Sequence, residues 1–184
     1  MKKSINGIDK YNTNEFETKI KEIFKKIQNA WNTNNADELL HLESSMLYEK
    51  DAEKMRMYAS KNIKEVRKDV VINFVDVIEK YEIANKEILK VKLKASMERY
   101  VQDVATGEII EGIKEYKETK IYFLFFVRMI GKEGYTIAKC NGCGADVNII
   151  ASGKCEYCGT LFYAKEYDWV VADIEEYPED KANN

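Results

Sequence analysis

The chain has 184 residues, 45% hydrophobic and 33% charged, with 29 basic against 32 acidic side chains and a net charge of −3. That length suits one domain, or one domain with a small module. Seven Phe, twelve Tyr and two Trp exclude general disorder, a single Pro excludes Pro-rich and collagen-like classes, and the acidic balance gives no reason to expect nucleic acid as a partner.

The N-terminal segment carries lysines but no apolar stretch, so a secretory signal is not expected and a cytoplasmic setting is the default. Residues 13–31 predict the first helix. Phe16, Ile20, Ile23, Phe24, Ile27 and Trp31 form one stripe of a 3.6-residue period, and Thr13 offers a capping hydroxyl. Opposite that stripe lie Lys19, Lys21, Lys25 and Lys26, and residues 1–30 hold seven Lys against four acids. Such a basic amphipathic helix suits an anionic membrane surface as a peripheral contact; the plainer reading is a solvated face over a buried stripe. A second helical stretch runs from about Ala36 through Tyr58, with an interruption expected at Glu43–Ser45.

From Val66 the period changes to two. Val70–Ile78 reads as an apolar strand, Asn85-Lys86 as a turn, and Leu89, Val91, Leu93, Ala95 and Met97 alternate with polar residues as a strand wet on one face. Asp103–Gly107 is a second turn, and Ile113–Met129 a long third strand ending at a Gly131–Gly134 turn. Its run Ile121–Val127 is too short to span a membrane. Helices followed by an antiparallel meander are the α+β class, with N-terminal helices packed on a curved sheet. The tail from Asp173 holds five acids against one Lys and is expected to fray.

All four cysteines, Cys140, Cys143, Cys155 and Cys158, fall in two C-x2-C-G knuckles. Each two-residue gap lets both sulfurs of a knuckle reach one ion, and Gly144 and Gly159 let the backbone turn behind them. Four thiolates form a closed tetrahedral set for one structural Zn²⁺, on a hairpin bearing a knuckle at each end; iron in a rubredoxin-like site and a redox C-x-x-C pair are the competing readings. A closed set leaves no position for a reacting water. Residues 139–169 hold three Lys against four acids, so the ribbon lacks a nucleic-acid-binding face.

Several of these features occur together in a known family. Trp31 in the helices, the turn from Asp103 through Thr106-Gly107 to Gly112, the strand ending in Phe126-Val127-Arg128, and the ribbon ending in Tyr167-Asp168-Trp169 resemble bacterial Tim44-like domain proteins with a C-terminal zinc ribbon, over residues 13–172. One departure is Tyr122–Phe126, where many relatives carry a Trp. The resemblance implies an NTF2-like cone over residues 13–138, a zinc ribbon with its closing segment over 139–172, and the acidic tail over 173–184. It implies a non-enzymatic binding or scaffold protein contacting a protein, peptide or lipid, with peripheral membrane association as an alternative.

NTF2-like cones also house enzymes. An enzyme acting on a small apolar molecule in the cone would need polar residues lining it, and Asp76, Arg128, Tyr100 and Asp103 are the candidates. His41, the one histidine, reads as a surface or satisfied residue. No nucleophile motif or phosphate-cradling loop is present.

Overall fold

A computed structural model describes residues 8, 10–130, 137–140, 142–148, 155–160 and 168–179. Helix α1 spans Asn14–Thr33. The Thr13 hydroxyl accepts from the Phe16 N–H at 3.2 Å, Glu15 and Glu17 sit in the first turn, and Asn34 closes the helix in the left-handed region. The stripe Ile20, Ile23, Phe24, Ile27 and Trp31 is buried. A short 3-10 turn, Ala36–Leu39, leads to helix α2, Ser45–Ser60, whose N-cap is Ser44.

The break between turn and helix has a tertiary cause. The Ser44 N–H donates to the Val171 carbonyl and the Val171 N–H to the Leu42 carbonyl, both at 2.8 Å. A distant segment therefore takes backbone groups that a continuous helix would have used.

Strands β1 (Ile63–Ile83), β2 (Lys86–Asp103) and β3 (Ile109–Met129) form an antiparallel meander, and β6 (Val170–Pro178) adds beside β3. Strands β4 (Ile137–Lys139) and β5 (Asp146–Asn148) form a separate hairpin. Bulges interrupt the register of every pair in the large sheet and bend its strands. The outer edge of β1 is clipped by side chains: the Val77 N–H donates to Asn12 Oδ1 (3.0 Å), and the Arg67 N–H to Asn32 Oδ1 (3.3 Å). These amides occupy donors that an edge would otherwise offer to another chain.

The expected frayed tail is corrected. Residues 173–178 belong to β6, and the cysteine segment is inserted between neighbouring strands of one sheet. The acids of β6 do not unravel it because the sheet supplies cations. Glu176 pairs with Arg99 (2.6 Å) and Lys120 (3.5 Å), and Glu179 beyond the strand with Lys94.

The face of β2 carrying Leu89, Val91, Leu93, Ala95 and Met97 shares one buried core with residues of α1 and the 3-10 turn, and α1 itself lies against β1. Phe24, Leu39, Leu40, Leu124 and Phe126 fill the space between, all fully buried, and Phe24 packs on Tyr122 with ring centroids 5.0 Å apart.

Gly112 lies at φ +83°, where a Cβ would come 2.7 Å from the Arg99 carbonyl oxygen; Gly107, at φ +73°, has open space around it. Gly107→Ala should therefore cost about 1 kcal/mol from backbone strain alone, and Gly112→Ala about 2–3 kcal/mol. Urea unfolding midpoints of the two variants check this; equal losses would mean that β2 yields at Arg99 without cost.

Candidate metal centre and buried charge clusters

The two knuckles have the same backbone geometry. The Gly144 N–H donates to the Cys140 carbonyl and the Gly159 N–H to the Cys155 carbonyl; the Cys140 N–H donates to the Ala145 carbonyl and the Cys155 N–H to the Thr160 carbonyl, all at 2.8 Å. Gly144 and Gly159 take left-handed conformations, φ +75° and +73°, as such reversals require. The first knuckle sits at the turn of the β4–β5 hairpin. The expected strand end at Ile149-Ile150 and the Ala151–Lys154 turn lie outside the described residues.

All four sulfurs lie within 4.8 Å of one another, with Cys140 Sγ 3.6 Å from Cys158 Sγ and Cys143 Sγ 3.7 Å from Cys155 Sγ. Metal–sulfur bonds of about 2.3 Å in a tetrahedron place sulfurs about 3.8 Å apart. A disulfide needs about 2.05 Å. The quartet therefore has the spacing of a metal site. Burial raises the Cys140 thiol, but the N–H groups of Cys143 and Gly142 outweigh it and hold the thiol at about 6. At Cys143 the Ala145 N–H favours the thiolate, yet the adjacent sulfurs push it up to about 12. Sulfurs this close cannot all ionise without a cation among them, which is the chemistry a metal supplies.

Two buried charge clusters lie at opposite ends of β2. At one end Glu87, 4% exposed, accepts from Tyr11 OH (2.5 Å), Lys80 Nζ (2.7 Å) and Arg128 (2.6–2.7 Å). Burial opposes its charge, but these donors prevail and hold its carboxyl at about 2. The Arg128 guanidinium stacks 4.5 Å from the Trp169 ring, and Tyr11, Phe16 and Trp169 pack mutually. At the other end Glu65 accepts from Arg67 (2.8 Å) and Arg99 (2.5 Å), and Arg67 lies 4.2 Å from the Trp31 ring. Beside Glu65 opens a polar cavity of about 230 Å³ lined by Tyr58, Arg99, Tyr100, Glu111 and Glu118.

A family profile described as the Tim44-like domain matches residues 3–140, three quarters of the sequence. The chain belongs to the Tim44-like domain family. The crystal structure of the intermembrane space region of chloroplast protein ARC6 is similar at 8% identity and a TM-score of 0.44, covering 89% of this chain and 97% of that one. No curated protein matches.

In this Tim44-like chain the four polar residues singled out for a pocket do not share one. Asp76 is exposed at a shallow cavity beside Tyr11 and Asn12, and Arg128 belongs to the Glu87 cluster. Tyr100 lines the cavity near Glu65, and Asp103 accepts from the Ala105 and Thr106 N–H groups (2.8 Å each) as a turn cap. His41 is half-buried, and burial lowers it below the usual imidazole range.

On α1, Lys19 pairs with Asp168 (2.7 Å) and Lys21 with Glu17 (2.5 Å), while Lys25 and Lys26 are exposed. Among the described residues no helix is long and apolar enough to cross a membrane. Sequence reasoning missed Glu87, Glu65 and Glu43. Glu87 carried a signal, because it falls in the inward phase of Leu89, Val91 and Leu93.

Proposed function

We propose that this chain is a non-enzymatic binding or scaffold unit: a Tim44-like body that contacts a protein or peptide partner, bearing a ribbon folded by one structural Zn²⁺ on Cys140, Cys143, Cys155 and Cys158. The observation that carries the non-enzymatic reading is the packed interior. Phe24, Leu93, Leu124 and Phe126 occupy the space a reaction chamber would need. The buried acids Glu65 and Glu87 are fastened to arginines and held at about 2, far from the values useful in acid–base chemistry at neutral pH. The α1 stripe is spent on the core, which speaks against insertion of that helix into a membrane surface. The Lys-, Asn- and Ile-rich composition and the metal-like use of cysteine suit a bacterial cytoplasm.

Zinc on four thiolates fastens the hairpin and offers no open position to substrate. Metal analysis of the purified chain should give about one zinc per chain, and chelation should expose the ribbon to protease while the helix–sheet body stays folded. Cys140→Ser with Cys155→Ser should do the same without chelator. Stoichiometric iron, or a ribbon equally resistant without metal, would overturn the zinc assignment.

A further inference from the structure

Along part of β3 no strand among the described residues lies on the side away from β2. From Lys120 to Val127, β3 pairs with β2 on one side and β6 on the other; from Ile109 to Thr119 its strand partner among the described residues is β2 alone. Pro178, opposite Lys120, has no N–H and is the last residue of β6. Among the described residues no strand pairs with the backbone donors and acceptors on that side of β3.

Large apolar side chains along this stretch stand exposed among its charges. Ile110, Ile113 and Tyr116 are 55%, 66% and 58% exposed, and Val104 in the adjoining turn is 54% exposed. Solitary apolar residues on a surface mean little, but four on one hairpin beside an open edge invite another strand. The stretch is also acidic, with Asp103, Glu108, Glu111, Glu115 and Glu118 against Lys114 and Lys117. A bulge sets Ile113–Tyr116 out of register, and there the Glu115 N–H donates to Glu98 Oε2 at 3.1 Å.

The 230 Å³ cavity opens beside this edge, with Glu111 and Glu118 on its wall together with Tyr58 and Tyr100. Its cations are engaged: Lys54 with Glu65, Arg99 with Glu65 and Glu176, Lys120 with Glu118 and Glu176. Glu111 has no salt-bridge partner among the described residues.

We propose that the β3 edge is a docking site for an extended polypeptide segment alternating basic and apolar residues. The segment adds as a strand beside the in-register residues that flank the Ile113–Tyr116 bulge and sets a Lys or Arg side chain between Glu111, Glu118 and the two tyrosine rings. Main-chain hydrogen bonds supply the affinity and the acidic, aromatic cavity the preference for a cation. A second copy of this chain fits poorly, because edge-to-edge pairing would set acids against acids. The proposal rests on the partner-binding reading of the chain.

The test is fluorescence anisotropy of a labelled decapeptide of five Lys-Val repeats titrated with the full chain. Saturable binding is expected, weakened at least tenfold by Glu111→Lys with Glu118→Lys, and at least tenfold when alternate peptide amides are N-methylated. A Glu-Val counterpart should not bind. Binding indifferent to N-methylation, absence of saturation, or a dimer in sedimentation dissolved by Tyr116→Lys would each overturn the proposal. A photo-crosslinking amino acid at Tyr116 or Tyr177 in cells separates the two readings. A partner captured through Tyr177 and not Tyr116 sinks the edge alone; capture at neither sinks the partner-binding function as well.

Discussion

Glu87→Ala lowers the stability of the chain by about 3–5 kcal/mol, because it leaves the cations Lys80 and Arg128 without their shared carboxylate. The Tyr11 hydroxyl loses its acceptor in the same step, so the segment before α1 loosens together with Trp169. Urea unfolding followed by tryptophan fluorescence measures the loss; a change under about 1 kcal/mol would mean that solvent replaces the carboxylate.

The same network sets a sign for acid. The Glu87 carboxyl stands at about 2 when folded against an ordinary 4.5, so its contribution is present above pH 4.5 and is lost as pH falls toward 2. Glu65, also held at about 2, behaves alike at the other end of β2. Glu87→Ala should therefore flatten part of the acid limb, leaving the part that Glu65 supplies.

Glu43→Met should act in the opposite direction, raising stability at pH 7 by roughly 3 kcal/mol. Glu43 is fully buried where Val171 breaks the helical segment, and among the described residues neither carboxyl oxygen has a hydrogen-bond partner. Burial, with Asp51 on α2, pushes the carboxyl up to about 9 against the opposing pull of Arg67 on β1 and Lys50 on α2. The folded chain therefore binds a proton that the unfolded chain releases above 4.5. Stability falls by about 1.4 kcal/mol per pH unit from this group as pH rises from 4.5 toward 9. Methionine keeps the length, removes the charge and removes that slope. Thermal melts between pH 5 and 8.5 check both effects, and a slope unchanged in the variant would sink the assignment to Glu43.

The legible parts of this protein were those written in local spacing. Helix α1, its Thr13 cap and its buried stripe follow from a 3.6-residue period that ignores the rest of the chain. The inward face of β2 follows from alternation, and the Asp103–Gly107 turn from a carboxylate that caps its own backbone. The cysteine quartet was legible for the same reason, since a knuckle is built within six residues and two of them complete a tetrahedron.

The charged clusters were half-legible at best. Glu87 stands in an apolar phase and could have been flagged, but its partner Lys80 could not, because bulges in β1 break the two-residue count before it is reached. The fate of the acidic tail was not legible either. Residues 173–178 look solvated until β3 and β2 bring Lys120 and Arg99 beside them.

By itself, then, the sequence determined the α+β class, the first helix, the strand faces and the cysteine quartet, all of which rest on interactions within a few residues. Tertiary structure alone decided that β6 completes the sheet, that Val171 is the segment lodged at the break in the second helical stretch, where Glu43 is buried, and which side chains share the core. Each of those depends on which distant segments meet, from Val127 and Val170, 43 residues apart, to Glu43 and Val171, 128 residues apart, and such pairing leaves no periodic mark in either partner.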